Sequence, residues 1–209
     1  MNIQPINYSA AFTAGALLYT ETNALLGILL TNNSDQLIAE EIKNNQLIQI
    51  NSEASRKRVL QEIVKRYQNV SIDLWRQYEY MPENEKKLVL FYSCLKSYRL
   101  IFDFHFEVTL KRQNIGADHA DNYFYRMKLD EIGMNDPEVD SWTEHTKTKT
   151  ITVYQRVLRE AGLIKEGKLS PVDASIDFWI FFGRNRENWF FDACLLNPTR
   201  KNEVLKYCV

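Results

Sequence analysis

Ser52-Glu53-Ala54-Ser55-Arg56-Lys57-Arg58 reads as hydroxyl, glutamate, any residue, hydroxyl, base, any residue, base, and Thr143-Glu144-His145-Thr146-Lys147-Thr148-Lys149 repeats that order. Each stretch opens a segment whose apolar residues recur at helical spacing. A hydroxyl just ahead of the first turn caps free backbone N–H groups. A glutamate inside that turn complements the positive end of the helix dipole. Both stretches therefore predict a well-started helix that displays bases and hydroxyls along a rigid rod. Many helices that enter nucleic-acid grooves begin this way. A capped, solvated surface helix has the same opening.

The rest of the composition favours helices too. The chain has 209 residues, 45% of them hydrophobic and 12% aromatic, enough for one sizeable domain or two small ones. Only 7 glycines and 5 prolines leave few turn signals for a strand-rich fold. The formal net charge is -1. Proteins that coat nucleic acid are usually basic, so the question is whether the bases are segregated. Cys94, Cys194 and Cys208 are far apart and form no CxxC, which fits reduced thiols in the cytoplasm. No metal-ligand spacing, P-loop, GxGxxG, HExxH or GxSxG occurs. Asp118-His119 with Asp121, and Asp103 with His105, are the acid–base neighbours, and no motif surrounds them. No enzyme activity, cofactor or metal is expected. Ala10 to Leu30 is apolar, but Tyr19-Thr20-Glu21-Thr22-Asn23 interrupts it before 18 residues accumulate. No Lys or Arg precedes Lys43, so a signal peptide lacks its basic start. This stretch reads as a buried core helix, not a membrane segment.

From the first basic stretch outward, a short helix from Asp35 to Asn44, with Ser34 as its cap, precedes a connector at Gln46–Asn51. The basic helix then runs from Ser52 to about Gln68. Two short helices with the second one basic fit a helix-turn-helix-like unit. On a wheel, Val59, Leu60, Ile63, Val64 and Tyr67 share the core face. Ala54, Arg58, Gln61 and Lys65 fall opposite, with Lys57 and Arg66 on the flanks. Arg56 projects towards the apolar side, where it snorkels or pairs. Five bases stand against two acids between Ser52 and Gln68.

Asn84 to about Gln113 is apolar nearly all round, as expected of a helix or broken pair of helices at the centre of a bundle. His105, within Phe104-His105-Phe106, reads as a satisfied core residue. Asp118 to about Ile132 predicts another helix, closed by Gly133 and an Asp136-Pro137 turn. In the second basic helix Ile151, Tyr154, Val157, Leu158 and Ala161 mark the buried face. The opposite face carries His145, Thr148, Lys149, Thr152, Gln155, Arg156 and Arg159, and the nearest acid, Glu160, lies at its edge. A merely solvated face normally mixes both signs, so this one reads as an anion-binding face. Trp142, beside the second cap, either anchors the helix start to the core or stacks on a base. Gly162 is a natural helix stop. Ile164 and Leu169 flank Glu166-Gly167, which suggests a short hairpin with Lys165 and Lys168 near its tip, the layout of a winged helix. An ordinary helix-to-loop exit is the alternative. The aromatics of Phe178–Phe182 and Trp189–Phe191 are expected to dock on the bundle.

Tyr8-Ser9-Ala10, Phe12-Thr13-Ala14-Gly15-Ala16-Leu17-Leu18 and Glu21-Thr22 resemble an N-terminal signature of the BrxA family, a small component of bacterial BREX phage-defence systems. Ser52-Glu53-Ala54-Ser55 with Lys57-Arg58, Asp136-Pro137-Glu138-Val139, Trp142-Thr143-Glu144 and Glu160-Ala161-Gly162-Leu163-Ile164 resemble its later signatures. The resemblance runs from about Tyr8 to Pro171. It implies an all-helical, non-enzymatic, DNA-binding protein, likened to the RNA-binding NusB type, that works beside a methyltransferase, an ATPase and a phosphatase-like protein. An inner-membrane location has been suggested for the family, and the interrupted N-terminal segment argues against it here.

These readings predict an all-α (mainly helical) bundle with two helix-turn-helix-like units, the second of winged-helix layout. An N-terminal region at 1–70, a central aromatic core at 71–135 and a basic helix with wing and tail at 136–209 are expected, as parts or as one continuous unit. The protein is expected in the cytoplasm, away from membranes, on double-stranded DNA. Lys57, Arg58, Lys65 and Arg66 would form one phosphate-binding patch. Lys149, Arg156, Arg159, Lys165 and Lys168 would form the other, with Thr148 and Thr152 hydrogen-bonding phosphate. Lys149, Thr152 or Arg156 would touch base edges only if their helix enters the major groove. An RNA-binding bundle and a protein adaptor within the defence complex are the alternatives.

Overall fold

The stretch read as one N-terminal helix is broken in two. Ala11–Ala14 forms a 3-10 turn, Gly15 continues in extended backbone, and α1 (Tyr19–Leu29) starts after Leu18, which sits in the left-handed region at φ 57°. A Cβ on Gly15 would lie 2.2 Å from the end of the Leu18 side chain, so a larger residue there would make Leu18 shift. The architecture is that of a computed structural model describing residues 7–116 and 121–208. Among the described residues no helix is long and apolar enough to cross a membrane.

The fold is mainly helical. α2 (Ser34–Asn44) and α3 (Glu53–Gln68) follow α1, then α4 (Ile72–Tyr78) and α5 (Glu83–Ser97). The connector between α2 and α3 is held from both sides. The Glu41 carboxylate accepts from the backbone N–H of Gln46, Leu47 and Ile48 at 3.1, 2.9 and 3.0 Å. Arg56, buried as its wheel position predicts, donates to the carbonyls of Ile42, Ile50 and Asn51. α5 ends where Tyr98 turns extended at φ -131°, ψ 109°. α6 (Arg99–Asp103), a π-helical turn (Phe104–Thr109) and α7 (Leu110–Asn114) then run on as one rod, since the joining residues stay right-handed. The aromatic centre is thus a broken pair of helices.

α8 (Asn122–Gly133) starts on the Asp121 side chain, which accepts from the Tyr123 N–H. The expected start at Asp118, and the Asp118-His119 pair, lie outside the described residues. α9 (Pro137–Asp140) occupies what read as a turn, with Asp136 capping two N–H groups. α10 (Glu144–Glu160), the hairpin strands β1 (Ile164–Lys165) and β2 (Lys168–Leu169), and α11 (Ile176–Arg184), α12 (Trp189–Ala193) and α13 (Pro198–Leu205) complete the chain.

One large core gathers residues from Phe12 to Val204, centred on α5 and the rod. Phe178, Trp179, Phe182, Phe190 and Phe191 are buried in it, so the C-terminal aromatics dock as expected. A second, smaller cluster joins Leu18, Leu25 and Leu29 to Val59, Leu60 and Ile63 of α3. His105 is a satisfied core residue: Nε2 donates to the Ala193 carbonyl at 2.8 Å, and Nδ1 accepts from the Tyr154 hydroxyl at 2.9 Å. That assignment follows from the partner, because a carbonyl can only accept. Thr109 then bridges Tyr154 at 2.6 Å and Tyr125 at 2.9 Å.

Candidate nucleic-acid interface

Both basic helices start as their sequences predict. Ser52 caps α3 by accepting from the Ser55 N–H at 3.4 Å, and Thr143 caps α10 by accepting from the Thr146 N–H at 3.2 Å. Trp142 packs half-buried against the core, which anchors the start of α10.

On α3, Lys57 and Arg58 are exposed. Arg58 donates to the Thr13 hydroxyl at 3.1 Å. Lys65 is half-buried, with its ammonium 4.6 Å from the centre of the Tyr98 ring. Arg66 does not belong to this patch: it is 2% exposed. Its guanidinium donates to Tyr98 Oη at 3.1 Å, to the Ala16 and Leu17 carbonyls at 2.6 and 3.1 Å, and to the Gly15 carbonyl at 3.0 Å. Buried Glu62 accepts from the Tyr98 hydroxyl and completes the network. The wheel placed Arg66 on a flank because it allowed α3 one buried face. α3 is covered on two sides, by α1 and by α5, so the flank is inside as well.

On α10, Thr150, Ile151, Tyr154, Val157 and Leu158 are buried, while His145, Thr148, Lys149, Thr152, Arg156 and Arg159 are exposed. The face is as read, with two refinements. The Thr152 hydroxyl donates to the Thr148 carbonyl at 3.0 Å, so its proton is already used. Arg156 pairs with Glu160 at 2.6 Å. The helix closes in a Schellman motif: Gly162, at φ 80°, donates to the Arg159 carbonyl and Leu163 donates to the Leu158 carbonyl. The chain then enters the predicted hairpin. Glu166 and Gly167 both have positive φ, 51° and 79°, as a tight two-residue hairpin turn requires. Lys165 stands directly opposite Lys168.

The segment Gly15–Leu17 joins the two basic helices. Arg66 of α3 binds its carbonyls, and Glu160 of α10 accepts from the Leu17 N–H at 2.9 Å. Ser55 and Val59 on one side, and Arg156 and Glu160 on the other, line one cavity of about 480 Å³. Arg58 and Arg156 therefore flank the same N-terminal segment. Lys149 lies towards the start of α10, and Arg159 leads into the hairpin at its end.

A model of the BrxA family matches residues 6–178, most of the chain and both basic helices. The chain belongs to the BrxA family. A BREX protein BrxA from Bacillus cereus (strain H3081.97) is 24% identical over 161 residues, 77% of this chain and 80% of that protein. The crystal structure of an uncharacterized protein from Magnetospirillum magneticum shares the fold: TM-score 0.73, 20% identity, covering 90% of this chain and 97% of that one. The segments Phe12–Leu18 and Glu160–Ile164 meet at the Leu17–Glu160 bond. Sequence reasoning placed Glu160 only at the edge of a face and missed the roles of Thr13 and Arg66. The i, i+4 spacing of Glu62 and Arg66 was the available signal. Asp103 is not paired with His105; it accepts from Tyr8 at 2.7 Å and pairs with Arg99 at 2.8 Å.

Proposed function

We propose that this BREX component is a non-enzymatic, cytoplasmic protein that binds duplex DNA through its phosphates. The observation that carries this is the exposed face of α10. Lys149, Arg156 and Arg159 stand there among hydroxyls, with Glu160 at the margin, and the face runs on into a hairpin bearing Lys165 opposite Lys168. α10 with the hairpin acts as a winged-helix-like unit, and α2 with α3 as a helix-turn-helix-like one. Lys57, Arg58 and Lys65 add the second contact. Phosphate contacts set affinity, so sequence preference is weak.

The test is fluorescence anisotropy with a random-sequence duplex of about 30 base pairs, titrated across salt, beside matched double-stranded RNA. Arg159→Ala should weaken binding to all sequences about equally and flatten the log–log salt slope by about 0.9. An unchanged slope and affinity removes α10 from the interface. The deep, narrow major groove of A-form RNA excludes a helix, so equal binding to RNA also counts against this reading.

A further inference from the structure

We propose that the groove between α7 and α8 is the docking site for an amphipathic helix of a partner protein, which lays apolar residues on Phe124, Met127 and Met134 and places a carboxylate on Arg112. The groove has a volume of about 570 Å³, with Val108 and these three side chains among its walls. Tyr123, Met127 and Met134 fall on one stripe of the α8 region and are 62%, 52% and 82% exposed. Exposed apolar side chains scattered singly need no explanation, but a stripe along a groove marks an interaction site. Methionine, unbranched and polarizable, suits a surface that shapes itself to a partner. From Phe124 to Met134 the groove follows about 15 Å of helix, which seats roughly three turns of a docked one.

The charges around the groove select the partner. Glu107 is paired with Lys111, Glu131 with Lys128, and Asp130 with Lys147. Arg112 is the exception. Its guanidinium lies 3.9 Å from the centre of the Phe124 ring, its Nε is buried without a hydrogen-bond partner, and no carboxylate pairs with it among the described residues. Stacking on a ring occupies the guanidinium face and leaves the in-plane N–H groups to grip a carboxylate. A second copy docked through this same groove would bring Glu107, Asp130 and Glu131, each already paired with its own lysine, and so no free carboxylate for Arg112. A partner helix with an apolar stripe and one free Asp or Glu meets both requirements. This surface is independent of the basic face of α10.

The experiment co-expresses the tagged full chain with the other proteins of its BREX system and purifies it after nuclease treatment in high salt. One of them should co-purify. Met127→Glu and Arg112→Glu should each cut its recovery at least ten-fold, by the loss of a hot-spot contact, while Lys57→Glu leaves recovery unchanged. Reversing one Asp or Glu of the partner helix to Arg should restore binding to Arg112→Glu. Met127 is exposed, and circular dichroism will show its variant folded. Failure to recover any partner, or equal recovery with both variants, overturns the proposal. So does a dimer of the chain alone, seen by light scattering and broken by Met127→Glu, which would assign the groove to a second copy. DNA anisotropy on the same variants separates this outcome from that of the DNA-binding proposal.

Discussion

Arg66 and Lys57 are cations on one helix with opposite roles. Lys57 is exposed, so Lys57→Ala should change stability by less than about 0.5 kcal/mol. Arg66→Ala strips the partner from buried Tyr98 and Glu62 and from three backbone carbonyls, and should cost about 3–5 kcal/mol in urea unfolding. Equal stabilities would refute the staple role of Arg66. His105 gives a pH dependence. Burial lowers its pKa from 6.5 to about 4. Between those values the unfolded chain binds more protons than the folded one, so stability rises with pH. This contribution is complete above about 6.5 and is lost as pH falls towards 4, by about 3 kcal/mol. In His105→Gln, unfolding free energy measured from pH 4 to 7 should have a shallower slope than in the parent chain. A parallel slope would mean that another group titrates. Glu160 restrains Arg156 through a partly exposed ion pair. Such pairs are worth about 0.2–1 kcal/mol, so Glu160→Gln should tighten DNA binding by up to about five-fold at low salt. Weaker binding would show that Glu160 matters more for seating Leu17 than for holding Arg156.

At the scale of elements, the caps carry the comparison between sequence and structure. Ser52→Ala and Thr143→Ala should each cost about 1 kcal/mol in thermal or urea unfolding. Neither residue is in the core; the Thr143 hydroxyl also bonds the Thr146 hydroxyl at 3.0 Å, so a larger loss there than at Ser52 would give that second bond its weight. α3, α10, the Schellman stop at Gly162 and the hairpin at Glu166-Gly167 were legible because each depends on neighbours in the chain: a hydroxyl three residues ahead of an N–H, a glycine at positive φ, apolar spacing of 3.6. The breaks were not. Leu18 adopts φ 57° because the tertiary bonds of Gly15–Leu17 to α3 and α10 hold the chain there, and no local residue announces it. α4 and α9 are too short for a periodic pattern to emerge. In the candidate site, Lys57, Arg58, Lys149, Arg156 and Arg159 were legible as exposed, since a single buried face describes α10 and most of α3. Arg66 was not, since its burial comes from α5 and the N-terminal segment, 32 to 51 residues away in sequence.

At the scale of the whole molecule, α3 and α10 pack on the same N-terminal segment, and the proposed function has one duplex engage both. Lys57→Ala and Arg159→Ala should each flatten the DNA salt slope by about 0.9, and the double variant by about 1.8. A double variant no flatter than one single variant would restrict the footprint to one helix. The bond that sets this arrangement joins Leu17 to Glu160, residues 143 apart in sequence. A ribosome adding about 5–20 residues per second takes roughly 7–29 s to make that span. Once Arg66 is made, 94 residues before Glu160, the nascent chain can form its first grip and still lacks its second. A polypeptide cut short before α10 has no acceptor for Leu17, so the complete grip waits until Glu160 has been made.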